Sequence, residues 1–418
     1  MKNKKVAFCF PYRGVGGVSN MFGRQANYLA EYTKLKVSII DFSDGALSNQ
    51  VSEKVNSIFY ENINPVELLD FDYVIFQSMT PWSIYPKINF RSNTCLIFIS
   101  TLTENFYPFL PGAMRNLIGA NKTFRSIIWR TFLSSEFNKS QNFIKQLLSL
   151  NSLVFLDGNI AKNTAEDFGV NVENAPIIPL FSDNCSTSPE FLFKKRTSKL
   201  PKIKILWIGR LADFKISILN RVLDDLSNID SIKKDQLSFT IVGSGSYSKR
   251  LKIPKEFSAD QIIKVKHVKP SNIESIIREH DVVFAMGTAA LDAARLGVPV
   301  VRLDYSYKFV DKNYRYKFLH QVKGYSLGDK IESRFYDKGG LEIDGIFETL
   351  TNDWLKSAQR DYEYYRTNHQ IDASIKKLLN TMQVSQYTWS NYKKSSYQTS
   401  ILFHLKNIIV NRLKAIKC

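Results

Sequence analysis

The sequence has few cysteines and few histidines, and this scarcity argues against several classes of site. Four cysteines stand far apart in a chain of 418 residues, at Cys9, Cys95, Cys185 and Cys418, with no Cys-x-x-Cys pair. This spacing indicates neither a disulfide framework nor a zinc site, and scattered thiols are typical of a reducing compartment. All five histidines lie at position 267 or later. A catalytic base in the first half would therefore have to be a carboxylate.

A long hydrophobic run is also missing. No stretch approaches the roughly 20 apolar residues that are needed to cross a bilayer. The basic first five residues resemble the start of a signal peptide, but the apolar run after them, at 6–10, ends at Pro11 and is too short for one. We therefore expect a protein that is soluble or lies on a membrane surface.

Acidic residues are outnumbered by basic ones, 39 against 57, and the net charge is +18. This excess predicts an anionic partner, and nucleic acid, anionic lipid and phosphorylated small molecules all qualify. The composition, 44% hydrophobic and 23% charged, excludes a disordered or collagen-like chain. The length suits two domains rather than one.

Short apolar runs alternate with helical patterns along both halves of the chain. They predict strands at 5–10, 37–42, 73–76, 95–99 and 153–156, and again at 203–208, 239–242, 282–285 and 298–303. This alternation predicts two doubly wound α/β domains with parallel sheets. Polar residues without periodicity at 182–200 predict a linker. The predicted division is a first domain at 1–181, a second domain at 201–385 and a C-terminal segment at 386–418.

A glycine-rich segment follows the first predicted strand. Gly14, Gly16 and Gly17 precede a predicted helix, where glycines let a ligand approach the backbone and the helix N-terminus offers free amides. The spacing is not Gly-x-Gly-x-x-Gly, so the dinucleotide fingerprint is not met. A tight turn without a ligand explains the segment equally well.

A pair of cations follows the first strand of the second domain. Arg210 lies directly after Gly209, and Lys215 lies five residues further on. At the carboxyl end of a parallel strand, two such cations are placed to bind a diphosphate. Taken alone, a loop arginine and lysine are more often solvated side chains.

The most informative motif covers residues 281–301, where a predicted strand leads into a helix and then into another strand. Gly287 and Thr288 would present backbone amides and a hydroxyl at the helix N-terminus, which suits phosphate. Asp292 lies about one turn further in, so its carboxylate can reach a ribose diol. The alternative is that Asp292 faces solvent on a surface helix.

Together these motifs resemble the donor half of a GT-B glycosyltransferase, in particular the nucleotide-sugar enzymes of bacterial surface polysaccharide assembly (O-antigen, capsule and lipopolysaccharide). The pattern is Gly-Arg-Leu-x3-Lys, then Ile-Val-Gly-Ser-Gly-Ser, then Gly-Thr-x2-Leu-Asp-Ala-Ala-x-Leu-Gly-Val-Pro-Val. It is strong over about 200–305 and weaker over 1–45. The resemblance implies two Rossmann-like domains that face a cleft, with C-terminal helices that cross back to the first domain. It implies that the donor is bound by Gly16, Gly17, Arg210, Lys215, Gly243, Val268, Gly287, Thr288 and Asp292.

The chain departs from this family at its acids. Retaining enzymes of the commonest related family carry Glu-x7-Glu around this helix, and here the two positions are Phe284 and Asp292. An inverting mechanism needs a base in the acceptor domain, and Glu104, just after the predicted strand 95–99, is the candidate. Arg210 and Lys215 complete the implied catalytic set, since they would neutralise the departing diphosphate.

The resemblance implies no cofactor and no metal, because GT-B enzymes generally stabilise the diphosphate with cationic side chains and a helix dipole. Asp70 and Asp72 have the Asp-x-Asp spacing of a metal site in the other large glycosyltransferase fold. They immediately precede a predicted buried strand, and we interpret them as its entry. Arg13, at the end of the first predicted strand, would help to neutralise phosphate.

Two segments have the pattern of a membrane contact. Apolar residues form one helical stripe over 401–416, beside lysines and an arginine, as in interfacial amphipathic helices. The alternative is that the stripe docks on the first domain, and the aromatic residues at 387–397 favour that crossing. Aromatic and basic residues over 106–133 suit a lipid-linked or lipopolysaccharide acceptor. We expect a cytoplasmic protein, peripheral on the anionic inner face of the cytoplasmic membrane.

The resulting prediction is a hexosyl- or other glycosyltransferase that moves a sugar from a nucleotide-sugar donor to a growing, lipid-linked bacterial surface glycan. A nucleotide-sugar epimerase shares the fold but would need acid and base residues, such as histidines, from both domains. The missing first glutamate is compatible with a catalytically altered GT-B scaffold. A nucleic-acid binder is suggested by the charge alone, without any supporting signature, so we expect no nucleic-acid partner.

Overall fold

The computed structural model describes residues 3–13, 17–77, 87–102, 106–107, 128, 131, 133–184, 193, 203–229, 236–258, 260–266, 268–333 and 335–395. The chain divides into two compact units. Unit 1 comprises Met1–Ile178 and Ile375–Cys418, and unit 2 comprises Pro179–Ser374. Gly16, Glu104, most of the segment 106–133 and the stripe at 401–416 lie outside the described residues.

Unit 1 contains a six-stranded parallel sheet. In chain order its elements are β1 (Lys5–Cys9), α1 (Gly17–Tyr32), β2 (Lys36–Asp41), β3 (Asn56–Phe59), β4 (Leu68–Leu69), β5 (Tyr73–Gln77), β6 (Asn89–Phe90), β7 (Cys95–Ser100), α2 (Ser134–Ser149), β8 (Leu153–Phe155) and α3 (Gly158–Phe168). The strand order is β3-β2-β1-β5-β7-β8, and β4 pairs with β6 separately. Strands β1, β5 and β7 are buried nearly throughout, which explains their continuous apolar sequences.

The end of the described chain packs into the core of unit 1. It contains α8 (Ile371–Val384), of which the part from Ile375 belongs to this unit, and α9 (Trp389–Lys394). The Leu96 amide donates to the Tyr387 carbonyl over 2.7 Å, and the Trp389 amide donates to the Thr94 carbonyl over 2.9 Å. The Trp389 ring meets Phe90 edge to face, with centroids 5.1 Å apart. Aromatic burial of this kind fixes the C-terminal crossing that the sequence predicted.

Unit 2 contains the second six-stranded sheet. Its elements are β9 (Ile203–Ile208), α4 (Asp213–Ser227), β10 (Leu237–Val242), β11 (Ile262–Val265), α5 (Ile273–Arg278), β12 (Val282–Ala285), α6 (Thr288–Arg295), β13 (Val300–Arg302), β14 (Lys317–Phe318) and α7 (Ile343–Asn368). The order is β11-β10-β9-β12-β13-β14, parallel except for the antiparallel pair of β13 with β14. Buried α4 side chains, such as Leu219 and Val222, pack in one core cluster with β9 and β10.

These findings confirm the predicted fold class of two doubly wound α/β domains with a C-terminal return. The units differ from the predicted domain limits in two places. Ser182, predicted to begin the linker, lies in unit 2, where its amide donates to the His369 carbonyl over 3.0 Å. The return to unit 1 begins at Ile375 rather than at 386. Among the described residues, no helix is both long and apolar enough to span a bilayer.

Candidate functional site

Three of the predicted donor-binding loops of unit 2 leave the same edge of its sheet. Strands β10, β9 and β12 are neighbours and run parallel, so their carboxyl ends lie side by side. In the pairing register, Ile208 lies opposite Val242 and Trp207 opposite Phe284. The loops that begin at Gly209, Gly243 and Met286 therefore start from adjacent positions. Ligands of open α/β sheets bind at this edge.

Two glycines let the loops after β9 and β10 touch through their backbones. A Cβ on Gly243, whose φ is +145°, would lie 1.9 Å from the Gly209 carbonyl oxygen, and one on Gly245 would lie 2.3 Å from the Leu211 carbonyl oxygen. The Leu211 amide donates to the Ser244 carbonyl over 2.9 Å. The loop that carries Arg210 is thus held against the loop that carries Gly243.

The two predicted diphosphate ligands, Arg210 and Lys215, are close enough to interact electrostatically. The Lys215 ammonium is 3.4 Å from the point where a Gly209 Cβ would stand, above the end of β9. Burial lowers the pKa of Lys215 to about 8, and the neighbouring Arg210 guanidinium adds to this shift. Within the described residues, neither side chain has an ion-pair partner. Lys215 is half-buried and Arg210 is exposed, and two neighbouring cations of this kind favour an anionic ligand.

The predicted phosphate turn opens α6. Gly287 has φ +70° and ψ −149° and precedes the first helical residue, Thr288, and no described side chain caps the first turn. A Cβ on Gly287 would meet nothing within 4 Å, so glycine is needed there for its backbone conformation rather than for space. Thr288 is exposed. Its amide is part of the positive end of the α6 dipole, and its hydroxyl is carried by the same residue.

A loop without a predicted role, at residues 326–329, holds this turn in place. The Gly287 amide donates to the Leu327 carbonyl over 2.8 Å. Two residues later, the Asp329 carboxylate pairs with the buried Arg302 over 2.8 Å, and its amide donates to the Asp304 carboxylate over 2.8 Å. Arg302 also pairs with Asp304 over 2.6 Å. A buried ion cluster at the end of β13 therefore anchors the turn at Gly287.

The sequence did contain a signal for this loop. Ser326-Leu-Gly-Asp329 has turn composition, and the Ser326 hydroxyl donates to the Asp329 carboxylate over 2.6 Å. Gly328 has φ +148°, and a Cβ there would lie 3.0 Å from the Leu303 carbonyl oxygen. Local composition predicts a turn here, but it does not tell which strand end the turn supports.

The predicted nucleoside ligands occupy separate positions in unit 2. Asp292 is half-buried on α6, about 6 Å along the helix axis from Thr288. Its carboxylate accepts a hydrogen bond from the buried Ser182 hydroxyl and does not simply face solvent. Val268 is half-buried between β11 and α5 and packs against the core cluster that includes α6 residues. Contact of either residue with a nucleotide stays a prediction.

Two predicted residues of unit 1 are described. Gly17 is the first residue of α1 and is exposed, and its neighbour Gly16 lies outside the described residues, as does Glu104. The Arg13 guanidinium pairs with Asp44 over 2.8 Å and stacks on the Phe42 ring, 3.9 Å from its centroid. Asp44 is thus a partner of this cation in the structure, and a contact of Arg13 with phosphate stays a prediction.

The polar groups that could suggest other chemistry have structural partners. Asp70 pairs with Lys5 over 2.6 Å and Asp72 with Lys4 over 2.7 Å, as expected for a strand entry. Of the histidines, His280 contacts the Thr240 hydroxyl over 2.8 Å, and His369 contacts the Leu180 carbonyl over 2.6 Å. In the described part of the chain, no His, Cys, Asp or Glu residues come together as a metal-binding group.

Comparison with known proteins identifies the fold through solved structures. No protein-family model matches the chain, and no curated protein matches its sequence. Solved structures do match. HepE of Anabaena, determined with UDP and glucose, is 13% identical with a TM-score of 0.53, over 91% of this chain and 100% of that one.

Two further structures agree with this match. A glycosyltransferase of Rickettsia africae is 13% identical with a TM-score of 0.55, over 92% of this chain and 98% of its own. TarM of S. aureus, determined as a variant with UDP and two sugar ligands, is 11% identical with a TM-score of 0.53, over 91% and 99%. The chain therefore has the α/β fold of GT-B glycosyltransferases, with a wholly or mainly parallel sheet in each of its two units.

Proposed function

We propose that this protein is a glycosyltransferase that uses a nucleotide-sugar donor. One observation carries the proposal: Arg210 and Lys215, without an acid partner among the described residues, lie at the sheet edge from which the uncapped α6 also begins. Cations and a helix N-terminus together are suited to a diphosphate. The similarity to glycosyltransferase structures that hold UDP supports this choice among anionic ligands.

In the proposed reaction, an acceptor hydroxyl oxygen forms a bond to the anomeric carbon of the donor sugar. The bond from that carbon to the β-phosphate oxygen breaks, and its electron pair leaves with the nucleoside diphosphate. Arg210, Lys215 and the α6 amides would stabilise the charge that develops on the departing oxygen. The acceptor proton passes to a base, for which Glu104 stays the predicted residue, outside the described part of the chain.

A lipid-linked surface glycan is the proposed acceptor, and the inner face of the cytoplasmic membrane is the proposed location. The net charge of +18 supports contact with an anionic surface. The apolar stripe at 401–416 supplies the amphipathic pattern for it. Phospholipid vesicles with and without anionic lipid, mixed with the full chain, test this part of the proposal separately.

The first test of the proposed function is a thermal-shift screen. Nucleoside diphosphates and nucleotide sugars are added to the full chain, and a ligand that binds the native state raises Tm. We expect at least one diphosphate to raise Tm where the matching nucleoside does not. Transfer of the sugar from the selected donor is then assayed with a membrane-lipid extract as acceptor. If no nucleotide or nucleotide sugar raises Tm, the result contradicts the proposal.

The lowered pKa of Lys215 predicts that donor binding depends on pH. The ammonium is charged below about pH 8 and loses its proton above it, while a diphosphate keeps its charge because its last pKa is near 6. Affinity for the diphosphate should therefore fall as pH rises from 7 to 9.5. Calorimetric titration at several pH values measures this, and the Lys215→Arg variant, which keeps its charge, should show a flatter profile. Equal affinity of the wild type across this range would refute the assignment.

A further inference from the structure

An aromatic cluster lies beside Lys215 and takes no part in the diphosphate site described above. It consists of Phe214, Tyr305 and Tyr307. The Phe214 ring centroid is 5.7 Å from that of Tyr305 and 5.9 Å from that of Tyr307, and the two tyrosine centroids are 6.3 Å apart. Phe214 lies in the first turn of α4, and the two tyrosines follow β13. The cluster is therefore at the same carboxyl edge of the sheet as the diphosphate loops.

Backbone hydrogen bonds keep the aromatic cluster in place. The Ser306 amide donates to the Phe214 carbonyl over 3.2 Å, so the loop after β13 is tied to the start of α4. The Tyr305 amide donates to the Asp329 carbonyl over 2.8 Å, and the Ile331 amide donates to the Tyr305 carbonyl over 3.0 Å. The rings are thus carried by the same segment that anchors the Gly287 turn. A fixed aromatic surface loses little entropy when a ligand packs on it.

The outer part of this aromatic surface is open to solvent. Tyr307 is 60% exposed, whereas Phe214 and Tyr305 are half-buried. The Lys215 ammonium is 5.8 Å from the Phe214 ring centroid, and the Lys330 ammonium is 5.8 Å from the Tyr307 ring centroid. Lys330 has no ion-pair partner among the described residues. Apolar ring faces between two hydrogen-bond donors match a ligand with both C–H faces and polar substituents.

We propose that the aromatic cluster is the subsite for the transferred sugar ring of the donor. This inference rests on the proposed function, because the sugar is bonded directly to the phosphate that Lys215 would bind. A pyranose presents C–H groups on its face and hydroxyl groups on its rim. The face would pack on Tyr307 and Phe214, and the rim would accept a hydrogen bond from Lys330. This assigns sugar recognition to residues distinct from those that hold the diphosphate.

A membrane surface is the competing occupant, since Phe309 beside the cluster is 83% exposed and Lys308 is exposed too. Insertion into a bilayer interface would use the outermost side chains and would not require the half-buried members. The observations favour the sugar, because the cluster extends inward to Phe214, next to the predicted diphosphate ligand Lys215.

The test compares two ligands on one set of variants. UDP and the UDP-sugar that gives the largest thermal shift are titrated into wild type, Tyr307→Ala and Tyr307→Phe, with Tyr32→Ala as control, because Tyr32 is a 71% exposed aromatic of unit 1. We expect Tyr307→Ala to lower UDP-sugar affinity about fivefold to tenfold and to leave UDP affinity within about twofold. Tyr307→Phe keeps the ring and should retain most of the affinity, and Tyr32→Ala should bind both ligands as the wild type does.

The outcomes separate this inference from the function on which it rests. If another diphosphate gives the larger shift in the screen, that nucleotide and its sugar form replace the UDP pair. Failure of the wild type to bind any nucleoside diphosphate overturns the proposed function, and the subsite with it. Normal UDP binding with unchanged UDP-sugar affinity in Tyr307→Ala overturns the subsite alone. Equal losses for both ligands also overturn it. A Phe309→Ala or Tyr307→Ala variant that loses binding to phosphatidylglycerol vesicles, with UDP-sugar affinity unchanged, assigns the surface to the membrane instead.

Discussion

Alanine in place of Arg210 or of Lys215 is expected to lower the kcat of sugar transfer by about a hundredfold to a thousandfold, the usual cost of removing one charge-stabilising group from a transition state. Each cation would face the oxygen that gains charge as the glycosidic bond breaks. The Lys215 ammonium is also half-buried, where a charge interaction is screened less than in water. Initial rates at saturating donor, compared with those of the wild type, give the measurement.

Matched controls are available on the exposed face of α7. Arg360 and Lys356 are both exposed there, and Arg360→Ala and Lys356→Ala change the net charge by the same amount as the site variants. These controls should keep wild-type rates, because the lost charge is not at the site. Wild-type turnover in both Arg210→Ala and Lys215→Ala would remove the diphosphate assignment. Equal losses in the controls would point to a general effect of net charge.

The central strands of both sheets could be predicted from sequence because they are buried on both faces. β9 and β12 were predicted with the bounds that the structure has. Two edge strands, β3 and β11, were missed for the opposite reason, although the edge strand β8 was predicted. β11, at Ile262–Val265, has only half-buried and exposed side chains, and β3 begins with an exposed asparagine. An edge strand has a neighbour on one side only, so its sequence carries a weaker apolar signal.

The motifs of the proposed donor site could be located from the sequence, whereas the contacts that support them could not. The alternation of strands and helices, together with the strand order of a doubly wound sheet, predicts that Gly209 and Gly287 follow the ends of strands. The backbone contact between the loops of Gly209 and Gly243 depends on strand pairing and loop conformation, which composition does not encode. The same holds for the lowered pKa of Lys215, which arises from burial in the folded chain. Local patterns propose candidate ligand-binding residues, whereas the environment of these residues is a property of the fold.

Alanine at Gly243 is expected to weaken donor binding strongly, because its Cβ would stand 1.9 Å from the Gly209 carbonyl oxygen. The obstacle is backbone, so the loop before Arg210 must move, and the added residue must also adopt φ +145°. We expect a loss of diphosphate affinity of about a hundredfold, as for other misplaced binding groups, together with a lower Tm. Calorimetric titration and thermal unfolding measure the two effects.

Gly345→Ala serves as the control for this variant. Gly345 lies within α7, and a Cβ there would make an ordinary 3.4 Å contact with the Leu341 side chain. Alanine stabilises a helix by roughly 1 kcal/mol relative to glycine, so this variant should melt no lower than the wild type. Because the site is unchanged, it should also bind the diphosphate normally. Retained affinity in Gly243→Ala would mean that the loop of Arg210 tolerates displacement. In that case the diphosphate would have to be held chiefly by the α6 N-terminus, since that turn is anchored independently through Leu327 and the buried cluster of Arg302.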